Sequence, residues 1–356
     1  MRLRKFIAAV LILILVVTTA SCGGTGAAKQ DKDATRTFVD SCGREVEIPA
    51  EVDSVAPSGP LAQIVLYTAC PDKLVGIADD FPGEAKQLID EKYWDLPKFG
   101  QFYGKNASLN MEALIKADPD VIVDIGEAKE TIVEDMSGLQ EQLDIPVVFI
   151  EATLDTMDEA YKKIGELIGD TQETDKLAEY CRQVSEKADA VNAALTDDQR
   201  VTVYEAFEES GLCTNARGSF QGEVIDKVGG VNVADVEIVA MGAGSEVSLE
   251  QVINWNPDVI LVDTADVYRM ITTDKAWAGL PAVKNGRVYK IPDVPYSCMG
   301  NPPSVNRVMG ILWLGNILYP AQYGIDIKSE LIDFYSLFYH VKLNDDQAAG
   351  ILGEQR

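Results

Sequence analysis

Side chains with recognition chemistry stand in short loops between apolar runs. Ser58 lies in Pro57-Ser58-Gly59-Pro60, Phe81 in Asp79-Asp80-Phe81-Pro82-Gly83, and Glu127 just beyond the apolar run Val121 to Ile125. Phe102 and Tyr103 occupy a loop bounded by Gly100 and Gly104. Arg217 lies in Asn215-Ala216-Arg217-Gly218-Ser219, Tyr296 follows Val294-Pro295, and Met241 and Asn301 sit in loops nearby. Aromatic rings in such a loop either stack on a flat ligand or pack as a lid on their own lobe. An arginine beside glycine can offer paired donors to an anion, or simply be a solvated loop charge. A phenol such as that of Tyr296 can meet a chelated metal or an oxyanion.

Catalytic sets are missing from the pattern. There is no G-x-S-x-G elbow and no Cys-His constellation, because His340 is the single histidine. One histidine also argues against a histidine-rich metal site, and against direct zinc or manganese binding. No G-x-x-x-x-G-K-[ST] occurs, so any ATPase activity would belong to a separate chain. With 57 acidic residues, carboxylate pairs arise by chance and carry no weight at this stage. The formal net charge of -26 disfavours nucleic acid and anionic lipid as partners. Cys42, Cys70, Cys181, Cys213 and Cys298 show no metal spacing and read as mostly reduced, with a Cys42–Cys70 disulfide still open.

The elements that must position these loops follow from periodicity. Leu177, Cys181, Val184, Ala188, Val191 and Leu195 recur at spacings of 3 and 4, which predicts one helix from about Thr171 to Leu195. Such a helix is roughly 37 Å long, enough to cross two small lobes. On either side the chain alternates strand and helix. Before the long helix come a hairpin over Arg36 to Ile48, strands at Val52–Ala56, Leu74–Ala78, Val121–Ile125 and Val147–Ile150, and helices at Leu61–Ala69, Met111–Lys116 and Thr131–Leu143. After it come strands at Val201–Ala206, Val259–Val262 and Val288–Ile291, with helices at Phe220–Val228, Leu249–Asn254, Pro303–Leu318 and Ile327–Phe338. One unit repeats: Met111-Glu112 precedes Pro119-Asp120-Val121-Ile122, and Leu249-Glu250 precedes Pro257-Asp258-Val259-Ile260. Glutamate and proline are 7 residues apart in both, and the units are 138 residues apart. The expected fold is therefore α/β: two Rossmann-like lobes with parallel sheets, joined by one long rigid helix.

At the amino terminus, Arg2, Arg4 and Lys5 precede the apolar run Phe6 to Val17, which suits a cleaved leader better than a membrane span. Thr19-Ala20-Ser21-Cys22 resembles a bacterial lipobox with Thr19 in the usual leucine position, which would make Cys22 the acylated first residue. The organisation expected is a leader over 1–21, a tether over 22–35, a first lobe over 36–168, the helix over 169–197, a second lobe over 198–340 and a tail over 341–356.

Five further motifs carry a resemblance. Asp40-Ser41-Cys42-Gly43-Arg44, Leu109-Asn110-Met111-Glu112, Gly229-Gly230-Val231-Asn232-Val233-Ala234, Ser248-Leu249-Glu250-Gln251 and Ala282-Val283-Lys284-Asn285-Gly286-Arg287-Val288-Tyr289 run in one order. They are similar to motifs of the substrate-binding lipoproteins of iron-siderophore, haem and cobalamin ABC importers. The segment Pro302-Pro303-Ser304-Val305-Asn306-Arg307 resembles a subgroup of iron-complex binders, with molybdate and tungstate receptors as near relatives. The resemblance implies an extracytoplasmic, lipid-anchored monomer without cofactor or catalysis. It would capture a metal complex, a ferric siderophore first and haem or cobalamin next, between its lobes. Its partners would be an ABC permease and a separate ATPase. The ligand contacts would come from the loop residues named above. Glu112 and Glu250 match the glutamates that pair with permease arginines in this family; a glutamate at a helix amino terminus is also favourable in itself. The alternative is a receptor of the same fold for a small oxyanion. A surface hydrolase or sensor domain has no nucleophile–base set to support it.

Overall fold

The computed structural model describes residues 34–103, 107–239, 244–300 and 302–353. Alternating apolar residues pair β1 (Thr35–Val39) with β2 (Glu45–Pro49) in an antiparallel hairpin. Asp40 closes its turn, Oδ1 accepting from the backbone N–H of Cys42 at 3.2 Å and of Arg44 at 2.9 Å.

The first lobe follows as β3 (Val55–Pro57), α1 (Pro60–Ala69), α2 (Met111–Ala117), β4 (Val121–Gly126), α3 (Ile132–Leu143), β5 (Val147–Glu151) and α4 (Met157–Ile168). Its strands form a parallel sheet in the order β3-β4-β5. Val121 to Ile125 is buried on both faces, as a continuous apolar run in a helix-covered parallel sheet must be. The strand expected over Leu74 to Ala78 is reduced to single bridges, Leu74 to Val55 and Ile77 to Lys98. The helix α4 is not evident in the sequence reading. It buries Met157, Tyr161, Ile164 and Leu167.

The long helix is present as α5 (Thr171–Ala194), capped by Asp170, whose side chain accepts from the Gln172 N–H at 3.3 Å. Leu177, Cys181, Val184 and Ala188 of the expected stripe are buried. Val191 and Leu195, near its end, are half-buried. α4 lies close against α5 because position 165 is glycine: a Cβ there would meet Thr174 Oγ1 at 2.1 Å.

The second lobe comprises β6 (Thr202–Ala206), β7 (Cys213–Thr214), α6 (Glu223–Lys227), β8 (Val231–Asn232), β9 (Ser245–Glu246), α7 (Leu249–Trp255), β10 (Val259–Val262), α8 (Ala265–Thr273), α9 (Pro281–Lys284) and β11 (Val288–Lys290). Its main sheet is parallel, in the order β11-β10-β6-β8. The helix expected over Phe220 to Val228 is a 3₁₀ turn followed by α6. α10 (Asn306–Leu318), α11 (Pro320–Tyr323), α12 (Ile327–Phe338) and α13 (Asp345–Ile351) complete the chain. The stretch expected as a tail thus contains a helix. α12 packs back on first-lobe and linking helices: Phe338 meets Tyr161 of α4 at 5.8 Å and Tyr180 of α5 at 5.5 Å between ring centroids. One hydrophobic cluster runs from Val123 through Leu177 to Val203 and Leu261, so both sheets share a core with α5.

The repeated unit has one geometry in both lobes. Asn110 caps α2 by accepting from Ala113 N–H at 3.1 Å, and Ser248 caps α7 by accepting from Gln251 N–H at 3.2 Å. Each helix ends on a left-handed residue, Asp118 at φ 49° and Asn256 at φ 51°, a conformation that Asp and Asn tolerate. Asp120 then accepts from the N–H groups of Asp53 and Ser54, each at 2.8 Å. Asp258 likewise accepts from Thr202 N–H at 3.0 Å and Thr202 Oγ1 at 2.8 Å.

Candidate functional site

In open parallel sheets, ligands sit beyond the carboxyl ends of the strands. Here a cleft of about 590 Å³ lies at those ends, between the lobes. Pro60, Gln63, Asp79, Asp80 and Pro82 line it from the first lobe. Phe207 and Glu208, which follow β6, face them with Asp263, which follows β10, and with Ile291, Asp293 and Tyr296, which follow β11.

Buried polar side chains hold these loops. Gln63 is 2% exposed. Its Oε1 accepts from Ala78 N–H at 2.7 Å and Asp79 N–H at 3.0 Å, which fixes the Asp79-Asp80 loop over α1. Burial raises the Tyr296 phenol well above its ordinary pKa, with the Gln63 side chain partly opposing. Across the cleft, Asp263 Oδ2 accepts from Glu208 N–H at 3.2 Å, and Glu208 takes a positive φ of 60°. Behind them, Asn215 Nδ2 donates to Glu205 Oε2 at 3.0 Å. Glu205 is fully buried, and burial pushes its carboxyl up to about 8, the Asn215 hydrogen bond partly opposing.

Five carboxylates therefore line the cleft: Asp79, Asp80, Glu208, Asp263 and Asp293. Lys98 pairs with Asp80, and Lys290 with Asp293 at 2.7 Å. Among the described residues no lysine or arginine lines the wall itself. The acidic residues are spread around it, and no group of three His, Cys, Asp or Glu among the described residues converges to hold a bare metal ion.

Tyr296 is the candidate from the sequence that stands on this wall. The other described ones lie elsewhere. Ser58 is 3% exposed and donates to Asp124, and Tyr103 donates to the other oxygen of the same carboxylate at 2.6 Å. Phe102 is buried in the first lobe's outer core, so of the two readings of the Phe102-Tyr103 loop the structure has it packed on its own lobe. Phe81 is 3% exposed and packs edge-on against Tyr67. Glu127 is exposed, within electrostatic range of Arg307. Arg217 is also exposed, its Nε donating to Asn232 C=O at 2.7 Å. Met241, Asn301 and Cys22 lie outside the described residues. Glu112 and Glu250 are exposed in the first turns of α2 and α7, one per lobe. Arg307 is wholly buried, stacked on Phe220 and paired with Glu223 at 2.7 Å. No disulfide joins the five described cysteines.

The lining residues that sequence reasoning passed over are mainly the carboxylates. Their signal was position: Asp263 directly follows the apolar run Val259 to Val262, and Glu208 lies two residues past β6.

A family model described as periplasmic binding protein matches residues 85–295. The chain belongs to that family. It is an extracytoplasmic substrate-binding component of an ABC importer. The molybdate-binding protein MolA of Haemophilus influenzae is 27% identical over 89% of this chain and 94% of its own length. The Fe(3+)-citrate-binding protein YfmC of Bacillus subtilis is 24% identical over 60% of this chain and 65% of its own. An ABC transporter solute binding protein from Sulfurospirillum deleyianum superposes with a TM-score of 0.83, at 26% identity over 89% of this chain and 99% of the other. No helix among the described residues of this importer component is long and apolar enough to cross a membrane.

Proposed function

We propose that this protein captures a metal complex in the inter-lobe cleft and delivers it to its permease without chemistry of its own, a ferric siderophore first and haem or cobalamin next. The observation that carries the reading is the size of the cleft. A space of about 590 Å³ falls in the range of organic ligand sites and far exceeds one tetrahedral oxyanion. Tyr296 offers an aromatic face and a phenol to such a ligand. The likeness to an Fe(3+)-citrate-binding protein supports it. The second reading, a molybdate or tungstate receptor, is favoured by the likeness to MolA. In either case Cys22 carries the lipid anchor, and Glu112 and Glu250 meet permease arginines by charge complementarity.

The test is a thermal-shift panel on the full chain in mild detergent, with ferric hydroxamate and catecholate siderophores, haem, cobalamin, molybdate and tungstate. A ligand at 100 times its Kd stabilises by about 2.7 kcal/mol, a readable shift. A shift with a ferric chelate, haem or cobalamin is the expected result. A shift with molybdate or tungstate alone replaces the first reading by the second. For the anchor, Cys22→Ser should move the chain from the membrane fraction to the medium or periplasm; unchanged fractionation removes that assignment.

A further inference from the structure

The charge of the cleft bears on which metal complex it takes, and the inference that follows rests on the metal-complex reading above. Asp79, Glu208 and Asp263 line the wall without an ion pair among the described residues, whereas Asp80 and Asp293 have lysine partners at the rim. Asp263 Oδ1 is buried without a hydrogen-bond donor, although Oδ2 of the same carboxylate is engaged by Glu208 N–H. A buried oxygen without a donor is costly, and a donor brought by the ligand removes the cost. Arg307 is not on the wall; Phe220 covers its face and Glu223 pairs with its Nη1, while Nε and Nη2 are buried without an acceptor.

These carboxylates do not converge on a bare ion. They present a diffuse negative wall, with the buried Oδ1 of Asp263 unpartnered beside it, which fits an organic cation better than a metal. We infer that the second-lobe side of the cleft is a cation subsite, in which Asp263, flanked by Glu208, receives an ammonium group carried on the periphery of a metal chelate. The chelate's body would lie against Tyr296 and the Gln63–Asp79 side. An anionic chelate would meet the same wall unfavourably.

A matched pair of probes isolates the charge. Ferrioxamine B is a ferric trihydroxamate with a pendant ammonium; its N-acetyl derivative is the same chelate without that charge. Affinities of both for the full chain are measured by intrinsic fluorescence quenching at low salt and at high salt, with ferric citrate and molybdate alongside. The expected result is about tenfold tighter binding of ferrioxamine B, a ratio that shrinks as salt screens it. In Asp263→Asn, and independently in Glu208→Gln, the ratio should fall towards one. An unchanged thermal midpoint shows that each variant is folded, and the two variants guard against misfolding of either. Equal affinity for the pair, or tighter binding of ferric citrate, overturns the cation subsite and leaves the metal-complex reading intact. Binding of molybdate alone overturns both, and binding of no probe overturns the cation subsite.

Discussion

Lys227 Nζ stands 2.6 Å from Asp155 Oδ1, an ion pair that ties α6 of the second lobe to the loop before α4 of the first. The same Nζ is 2.6 Å from Asp189 of α5. One nearly buried ammonium thus joins both lobes to the helix between them. A continuous helix bends little, so this clamp and the shared core both oppose wide opening.

Replacing the clamp should show how much of that rigidity is electrostatic. Both aspartates are well exposed, so screening keeps the contribution small. Lys227→Met should cost about 1 kcal/mol in urea unfolding at low salt. The difference should shrink in 1 M salt; a cost that salt does not change would assign it to packing instead.

Docking is tested by Glu112→Ala combined with Glu250→Ala. Neither side chain lines the cleft, so ligand affinity should stay within about twofold while uptake falls. Each single variant should give a smaller loss, as each serves one lobe. Normal uptake by the double variant would remove the docking role.

Glu205 gives a pH signature. Its carboxyl stands at about 8 in the fold against an ordinary 4.5. The folded state therefore holds a proton that the unfolded chain has released, and stability falls as pH rises from about 4.5 to about 8. Glu205→Gln removes that slope. Its thermal midpoint relative to the parent chain should rise between pH 5 and pH 8.5; a constant difference over that range contradicts the raised carboxyl.

The repeat predicts paired costs. Asp120 and Asp258 each accept two hydrogen bonds from the start of the neighbouring strand. Asp120→Ala and Asp258→Ala should each lose about 1–3 kcal/mol. Chemical denaturation of the two variants should give similar midpoints. A large asymmetry would mean that the two units differ in energy despite their common geometry.

Much of the frame was readable along the chain, because its signals are local. The Leu177, Cys181, Val184 and Ala188 stripe needs only helical periodicity, and the Glu-to-Pro spacing needs only a cap and a stop. Val259 to Val262 shows its double-sided burial by having no polar residue at all. The amphipathic helix α4 and the short helix α8 went unread, and the strand expected at Leu74 was reduced to single bridges because its neighbours supply only isolated partners.

The site was less legible, for a physical reason. Which face a loop side chain takes depends on what packs behind it. Phe102 and Tyr103 turn inward because Asp124 accepts the Tyr103 hydroxyl and the first lobe's core accepts the Phe102 ring. Arg217 is held over Asn232 C=O and is not on the cleft wall. The sequence by itself determined the two alternating halves, their repeat and the helix between them. Only the tertiary structure decided that Asp79, Glu208, Asp263 and Tyr296 share one wall, since those residues come from loops up to 217 positions apart that meet where the strands of both sheets end.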